Sequence, residues 1–231
     1  MFNVLPSIGP DIARVAPGFR ALSLAVEGSR IVNPGVGAQA LARAYDSVGA
    51  GGPAWAEAHL ASWAEVFRQF GAKPRRTACS ADALRKRVLK TGSVASIDPV
   101  VDLYNAVSIQ WAIPVGGEDF TAYRGMPRLV IADGTELFDT VKDGTPVHEA
   151  AECGEVVWRD DIGVTCRRWN WRQGVRTRLT ADAKQMWFVL ESLPEMPVTA
   201  LHEAGDALVN GLRLLMPGAA IATRLIGFGI W

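Results

Sequence analysis

The residues best suited to chemistry fall in two stretches. The first runs from Asp98 to Asp119. Asp102 and Asn105 are three apart, so on a helix they share a face. Gly116-Gly117 would let the backbone approach another group closely, and Glu118-Asp119 adds two carboxylates. Polar residues on a buried helix, followed by an acidic glycine-containing loop, make one wall of a small pocket. The same pattern also describes a capped core helix and a turn. The second stretch holds Glu152 and Glu155, then Arg167-Arg168-Trp169-Asn170-Trp171-Arg172, among six arginines between Arg159 and Arg178. Arginine interleaved with tryptophan suits a site that handles phosphate and stacked bases together. The alternative is a tryptophan-rich core with arginine stems lying over it. A third run is basic: Lys73, Arg75, Arg76, Arg85, Lys86, Arg87 and Lys90, against Asp82 alone. It reads either as a solvated helix face or as a phosphate-contacting rim.

Other chemistries lack their residues. There is no phosphate-cradling Walker loop, no GxGxxG after a strand, no HExxH and no GxSxG. The histidines are His59, His148 and His202, and the cysteines are Cys79, Cys153 and Cys166 with no CxxC, so no metal site is expected. Cys153 or Cys166 with His148 would form a nucleophile pair, although a neutral buried cysteine is the commoner state. The carboxylates Asp102, Glu118, Asp119, Glu152 and Glu155 remain, and pairs of them would suit a cationic or amine-bearing ligand.

The elements that must position these residues follow from local pattern. Residues 19–26 alternate as a half-buried strand between Pro17-Gly18 and Gly28-Ser29. Residues 38–48 are expected to be helical. Residues 54–70 form an amphipathic helix with Trp55, Leu60, Trp63, Phe67 and Phe70 on one side, where core packing explains the tryptophans better than ligand stacking. His59 within it is expected at the surface or with its bonds satisfied. Ser80 should cap a helix over 81–90. Asp98 is a good N-cap and Pro99 fits the first helical position of a helix that Pro114 stops. Residues 128–132 and 135–139 read as a hairpin across Asp133-Gly134, and 155–159 with 164–171 as a second one. In that second hairpin, strand alternation puts Arg167, Trp169 and Trp171 on one face. Thr180 is expected to cap a helix to about Ser192, and 199–216 to form the last helix. Residues 221–231 would be a terminal strand or a docked segment.

The 231 residues are 49% apolar and 21% charged, with 24 basic against 24 acidic side chains. That is an ordinary globular composition with no global pull toward nucleic acid, so any such binding must be local. No run of about 18 uninterrupted apolar residues suggests a membrane span. Three scattered cysteines and a start without a basic leader fit the cytoplasm. A single domain over 1–231 is expected.

The order Asp102-x-x-Asn105, Pro114-Val-Gly-x-x-Asp119, Gly154-Glu155-x-x-x-x-Asp160 and Cys166-Arg-x-Trp169-Asn170-Trp171-Arg172 resembles the freestanding B3/B4-domain proteins. These are similar to the editing domain of the bacterial phenylalanyl-tRNA synthetase β subunit. The resemblance covers roughly residues 73–193. It implies an α+β fold of layered, mostly antiparallel sheets flanked by helices, needing no cofactor. It also implies hydrolysis of the ester of a mischarged tRNA. By position, Asn105 matches the pocket asparagine of the synthetase domain, and Glu155 matches the glutamate that recognises the amino-acid side chain. Gly116 stands where that domain has histidine, which implies a larger pocket and a substrate other than tyrosine. Freestanding relatives include deacylases that remove canavanine from arginine tRNA.

On this resemblance, Asn105 and the N–H groups of Gly116 and Gly117 act at the ester carbonyl or its water. Glu155, Glu118, Asp119 and Asp102 bind the amino acid. Arg167, Arg168, Trp169, Trp171, Arg172, Arg85 and Lys86 hold the tRNA end, with tRNA the partner and no membrane involved. The competing expectations are a non-catalytic RNA-binding module on the same fold, a deacylase for another mischarged tRNA such as tyrosyl-tRNA(Phe), and a small-molecule ester hydrolase.

Overall fold

The structure is a computed structural model that describes residues 3–180 and 182–228. Its strands are β1 (Ser7–Ile8), β2 (Arg20–Glu27), β3 (Val115–Asp119), β4 (Arg128–Ile131), β5 (Leu137–Lys142), β6 (Thr145–Ala150), β7 (Val156–Arg159), β8 (Val164–Arg167), β9 (Arg172–Gln173), β10 (Gln185–Ser192) and β11 (Ala220–Gly227). Its helices are α1 (Ile12–Val15), α2 (Gly35–Gly49), α3 (Ala56–Gln69), α4 (Ser80–Thr91), α5 (Pro99–Trp111) and α6 (Val198–Leu215). The fold is α+β with two sheets. Four strands run in the order β11-β2-β10-β3, all antiparallel. The larger sheet runs β1-β4-β7-β8-β5-β6, with β9 added beside β8.

The four-stranded sheet separates two cores. Leu22, Leu24 and Val26 of β2 join Met186, Phe188 and Leu190 of β10 beneath α2, α5 and α6. The alternate residues of the same strands point the other way. Ala21, Ala25, Trp187 and Val189 pack with Trp63 and Phe67 of α3 and with Trp158 and Trp169 from the larger sheet. Glycine permits the closest helix contacts: a Cβ on Gly37 of α2 would lie 2.5 Å from the Pro99 carbonyl oxygen at the start of α5.

Helix α5 forms as its sequence dictates. The Asp98 side chain accepts the Val100 N–H at 2.9 Å, and Pro99 opens the first turn. The helix ends at Trp111, where Ala112 turns left-handed (φ 50°) before Pro114 is reached. The Ala112 carbonyl accepts from His59 Nδ1 at 2.8 Å. His59 Nε2 in turn accepts from Trp63 Nε1 and the Leu193 N–H, so the buried ring is neutral and fully used. Desolvation holds its pKa down at about 4, against the Ala112 hydrogen bond and the charge of Glu195 and with help from the charge of Arg20.

Four local expectations are corrected. Gly116 and Gly117 lie in strand β3, not in a loop. Residues 128–132 and 135–139 do not pair as a hairpin: β4 lies between β1 and β7, while β5 lies between β8 and β6, and the hairpin turn is Asp143-Gly144 between β5 and β6. Residues 185–192 form the buried strand β10 rather than a helix from Thr180, because a strand covered on both faces shows a continuous apolar run with no period of two. Strand alternation after Arg167 also fails: Arg168 (φ 46°) and Trp169 (φ 65°) are consecutive left-handed residues that turn the chain. The second hairpin does form, as β7 and β8. The final strand β11 covers the first part of the expected terminal segment, and residues 229–231 lie outside the described residues.

Candidate active site

A cavity of about 280 Å³ opens where α4, α5 and β3 meet the inner face of the larger sheet. Its walls carry Ser80, Tyr104, Asn105, Gly116, Trp171 and Gln173, and two glutamates, Glu118 and Glu191, line its interior. Both glutamates are almost fully buried. Neither belongs to a salt bridge among the described residues.

Neutral donors hold these acids. Glu191 Oε1 accepts from Trp158 Nε1 at 2.8 Å and Trp169 Nε1 at 2.9 Å, and Oε2 accepts from Asn170 Nδ2 at 2.9 Å. Glu118 accepts from the Tyr123 hydroxyl at 2.5 Å, which also meets Thr165 Oγ1. Desolvation pushes Glu191 up to about 7, against its three donors and with help from the charge of Glu118. Desolvation likewise pushes Glu118 up to about 7, against the Tyr123 bond and the more distant charge of Arg176. Near neutrality the pocket therefore holds two carboxyls poised to give up protons when a cation arrives.

The remaining lining is polar without being reactive. The Ser80 hydroxyl is buried without a hydrogen-bond partner among the described residues, and so is Asn170 Oδ1. Ser80 does not cap α4; Cys79 occupies the N-cap, and no side chain caps that end. Cys166 borders the cavity, and burial, reinforced by Glu118 and Glu191, pushes its thiol well up. His148 borders a separate groove with Asp139 and Arg176, so Cys166 has no histidine beside it in the cavity. Among the described residues no group of three or more His, Cys, Asp or Glu is placed to hold a metal.

The expected residues divide sharply. Asn105, Gly116, Glu118, Trp169 and Trp171 do line one cavity. Glu155 does not. It is buried in a fork with Arg167, Nε to Oε1 at 3.0 Å and Nη2 to Oε2 at 2.6 Å, and it also accepts the Arg168 N–H. Arg167 is thereby withdrawn from any RNA, because its guanidinium is buried and committed. Asp102 accepts from Ser96 Oγ and the Ile97 N–H and fixes the entry to α5. Asp119 caps the short turn after β3 by accepting from Thr121. Arg85 is buried and donates to the Ile109 carbonyl at 2.7 Å, while exposed Lys86 pairs with Asp82.

The glycine amides also separate. Glu191 N–H donates to the Pro114 carbonyl, so ladder alternation turns the Gly116 N–H into β10. Gly117 faces the other way, where its carbonyl accepts from Gln173 Nε2 at 3.0 Å.

Trp169 is wholly buried, so it cannot stack on a base. The more accessible counterpart is Trp171, which is half-buried. The Arg168 guanidinium lies 4.9 Å from its ring centroid and that of Arg172 lies 6.0 Å away. The left-handed pair Arg168-Trp169 makes this division: it drives Trp169 into the core and brings Trp171 to the cavity edge. The residues that sequence reasoning missed are Ser80, Gln173, Asn170 and above all Glu191. A lone acid directly after the apolar run from Met186 to Leu190 was the available signal.

No helix among the described residues is long and apolar enough to cross a membrane. No curated protein matches the chain. Among solved structures, an N-terminal fragment of the phenylalanyl-tRNA synthetase β subunit from Pyrococcus horikoshii is similar, with 12% identity and a TM-score of 0.48. The similarity covers 95% of this chain and 50% of that one, so this chain spans half the length of that relative. The family model of the B3/4 domain matches residues 62–203, which include every lining residue named above, and the chain belongs to the B3/4 domain family.

Proposed function

We propose that this protein is an aminoacyl-tRNA deacylase that acts on a mischarged tRNA, with canavanyl-tRNA(Arg) its best substrate. The observation that carries the reading is the cavity with two buried, cation-free glutamates, Glu118 and Glu191, beside Asn105 and Gly116. A guanidinium-like side chain entering that cavity would find two acceptors whose protons it displaces, forming charge-assisted hydrogen bonds. A phenol offers no charge to compensate them, which favours canavanine over tyrosine.

An aminoacyl ester needs a positioned water and polarisation of its carbonyl, not a strong nucleophile. The Asn105 amide and the Ser80 hydroxyl are the polar wall groups left for that task, since the Gly116 N–H is spent in the sheet ladder. Trp171, at the cavity edge with the Arg168 and Arg172 guanidiniums near its ring, would offer a stacking surface to the terminal base while the arginines meet phosphate. The B3/4 family membership and the synthetase fragment's name agree with a tRNA substrate.

The test is release of amino acid from a panel of mischarged tRNAs. Canavanyl-tRNA(Arg) is expected to be cleaved faster than tyrosyl-tRNA(Phe). No ester of the panel cleaved above the blank would refute the activity; tyrosine cleaved best would refute the substrate.

A further inference from the structure

A second basic surface lies away from Trp171, and it starts at the cavity rim. The chain between α3 and α4 forms a rigid turn: the Lys73 carbonyl accepts from the Arg76 N–H, the Thr77 N–H and Thr77 Oγ1. That turn exposes Lys73, Arg75 and Arg76 around a groove of about 490 Å³ that Arg68 also lines and no acid enters. Helix α4 follows directly. Its Ser80, Ala83 and Leu84 line the cavity, and Arg87 and Lys90 continue the face of Ala83 at four and seven residues further on. Both are exposed.

None of Lys73, Arg75, Arg76, Arg87 and Lys90 belongs to a salt bridge with a described residue. The only acid in that part of the chain, Asp82, is already taken by Lys86 at 2.6 Å. In a protein of zero net charge, five uncompensated cations on one turn and one helix face form a local positive track. The cavity rim lies between the turn and the far end of α4.

We infer that this track binds the phosphate backbone of an RNA whose end is seated in the cavity, so that the 73–76 turn and the Arg87–Lys90 face hold the part of the molecule beyond the reacting nucleotide. The inference rests on the deacylase reading for the identity of the RNA, but not for its binding. Separate phosphate contacts are read by salt dependence, because each releases condensed counterions.

The experiment uses the full chain, an uncharged tRNA transcript and two variants, K73Q/R75Q/R76Q and R87Q/K90Q. Association constants are measured over a salt series. The slope of log K against log salt should become shallower by about 2 in the triple variant and about 1 to 2 in the double variant, at about 0.7–0.9 per lost phosphate contact. The melting temperature and cleavage of a 3′-aminoacylated trinucleotide should stay at wild-type values, because these side chains make no ion pair with a described residue and do not line the cavity. Unchanged slopes, or a wild type whose tRNA binding does not respond to salt, overturn the proposal. Poly-glutamate of matched charge displacing the tRNA as well as RNA does would reassign the track to an acidic protein and overturn it too. A wild type that cleaves no ester while the slopes change as stated would remove the deacylase reading and leave the track standing.

Discussion

Two groups of buried carboxylates in this protein meet opposite fates. In the larger sheet, Glu155 is forked by Arg167, and Asp160 is forked by Arg176 at 2.9 Å while accepting three backbone N–H groups. Burial alone would raise Asp160, yet the Arg176 fork and those N–H groups bring it below the usual range. In the cavity, Glu118 and Glu191 are as deeply buried, but their hydrogen-bond donors are the neutral side chains of tyrosine, threonine, tryptophan and asparagine. Neutral donors satisfy hydrogen-bond geometry without offsetting the cost of the charge, so the pKa of each acid rises to about 7. A buried acid with an arginine partner is finished as chemistry. A buried acid with neutral donors and a cavity in front of it is still available.

The strongest test of that contrast breaks a finished pair. Arg167→Met leaves Glu155 buried without a cation and should lower stability by about 3–5 kcal/mol, read as a lower denaturation midpoint. A midpoint near wild type would show that the fork is not what makes the two groups differ.

Glu191 should respond by chemistry rather than by charge pairing. Glu191→Ala strands the donors of Trp158, Trp169 and Asn170 and should cost about 1–3 kcal/mol of stability. Glu191→Gln keeps an acceptor for both tryptophans, and its new N–H₂ meets Asn170 Oδ1 once that amide turns over, so the fold should survive. Losing a charged partner of about 1.5–3 kcal/mol should then cut kcat/KM for the canavanyl ester about ten- to a hundred-fold. A glutamine variant that is equally active would remove Glu191 from substrate recognition.

The smallest effect is on pH. Glu118 and Glu191 bind protons more tightly folded than unfolded, so their contribution to stability is fullest below about 4.5 and declines as pH rises toward about 7. His59, held down at about 4 from 6.5, acts in the opposite sense: its contribution is fullest above 6.5 and is lost as pH falls toward 4. Two acids outweigh one histidine, so removing both in E118Q/E191Q should convert a profile that falls between pH 4.5 and 6.5 into one that rises with pH. Urea midpoints across that range would show it, and an unchanged profile would mean that the cavity acids are ionised in the folded protein.

Much of the scaffold is visible in the order of residues. The Asp98-Pro99 start of α5, the amphipathic α3, the strand from Arg20, the β7–β8 hairpin and the closing helix are all signalled by caps, periods or turn residues a few positions apart. The ordered polar motifs also pointed to the α+β B3/4 family and brought Asn105, Gly116, Glu118 and Trp171 to one cavity. Position within a motif misled at Glu155, because an acid twelve residues from Arg167 gives no sign that the two will fork.

Residue types and short spacings determined which segments are helices or exposed turns, and where charge and tryptophan concentrate. They could do so because caps, periods and breakers act through hydrogen bonds and sterics within a turn or two of the chain. Tertiary structure alone decided which carboxylates kept a free face. That outcome depended on β10 lying buried in its sheet, on the left-handed turn at Arg168-Trp169, and on which arginines reached which acids across the larger sheet. Each is a pairing between distant residues, and the burial that raises Glu118 and Glu191 exists only once both sheets have closed over them.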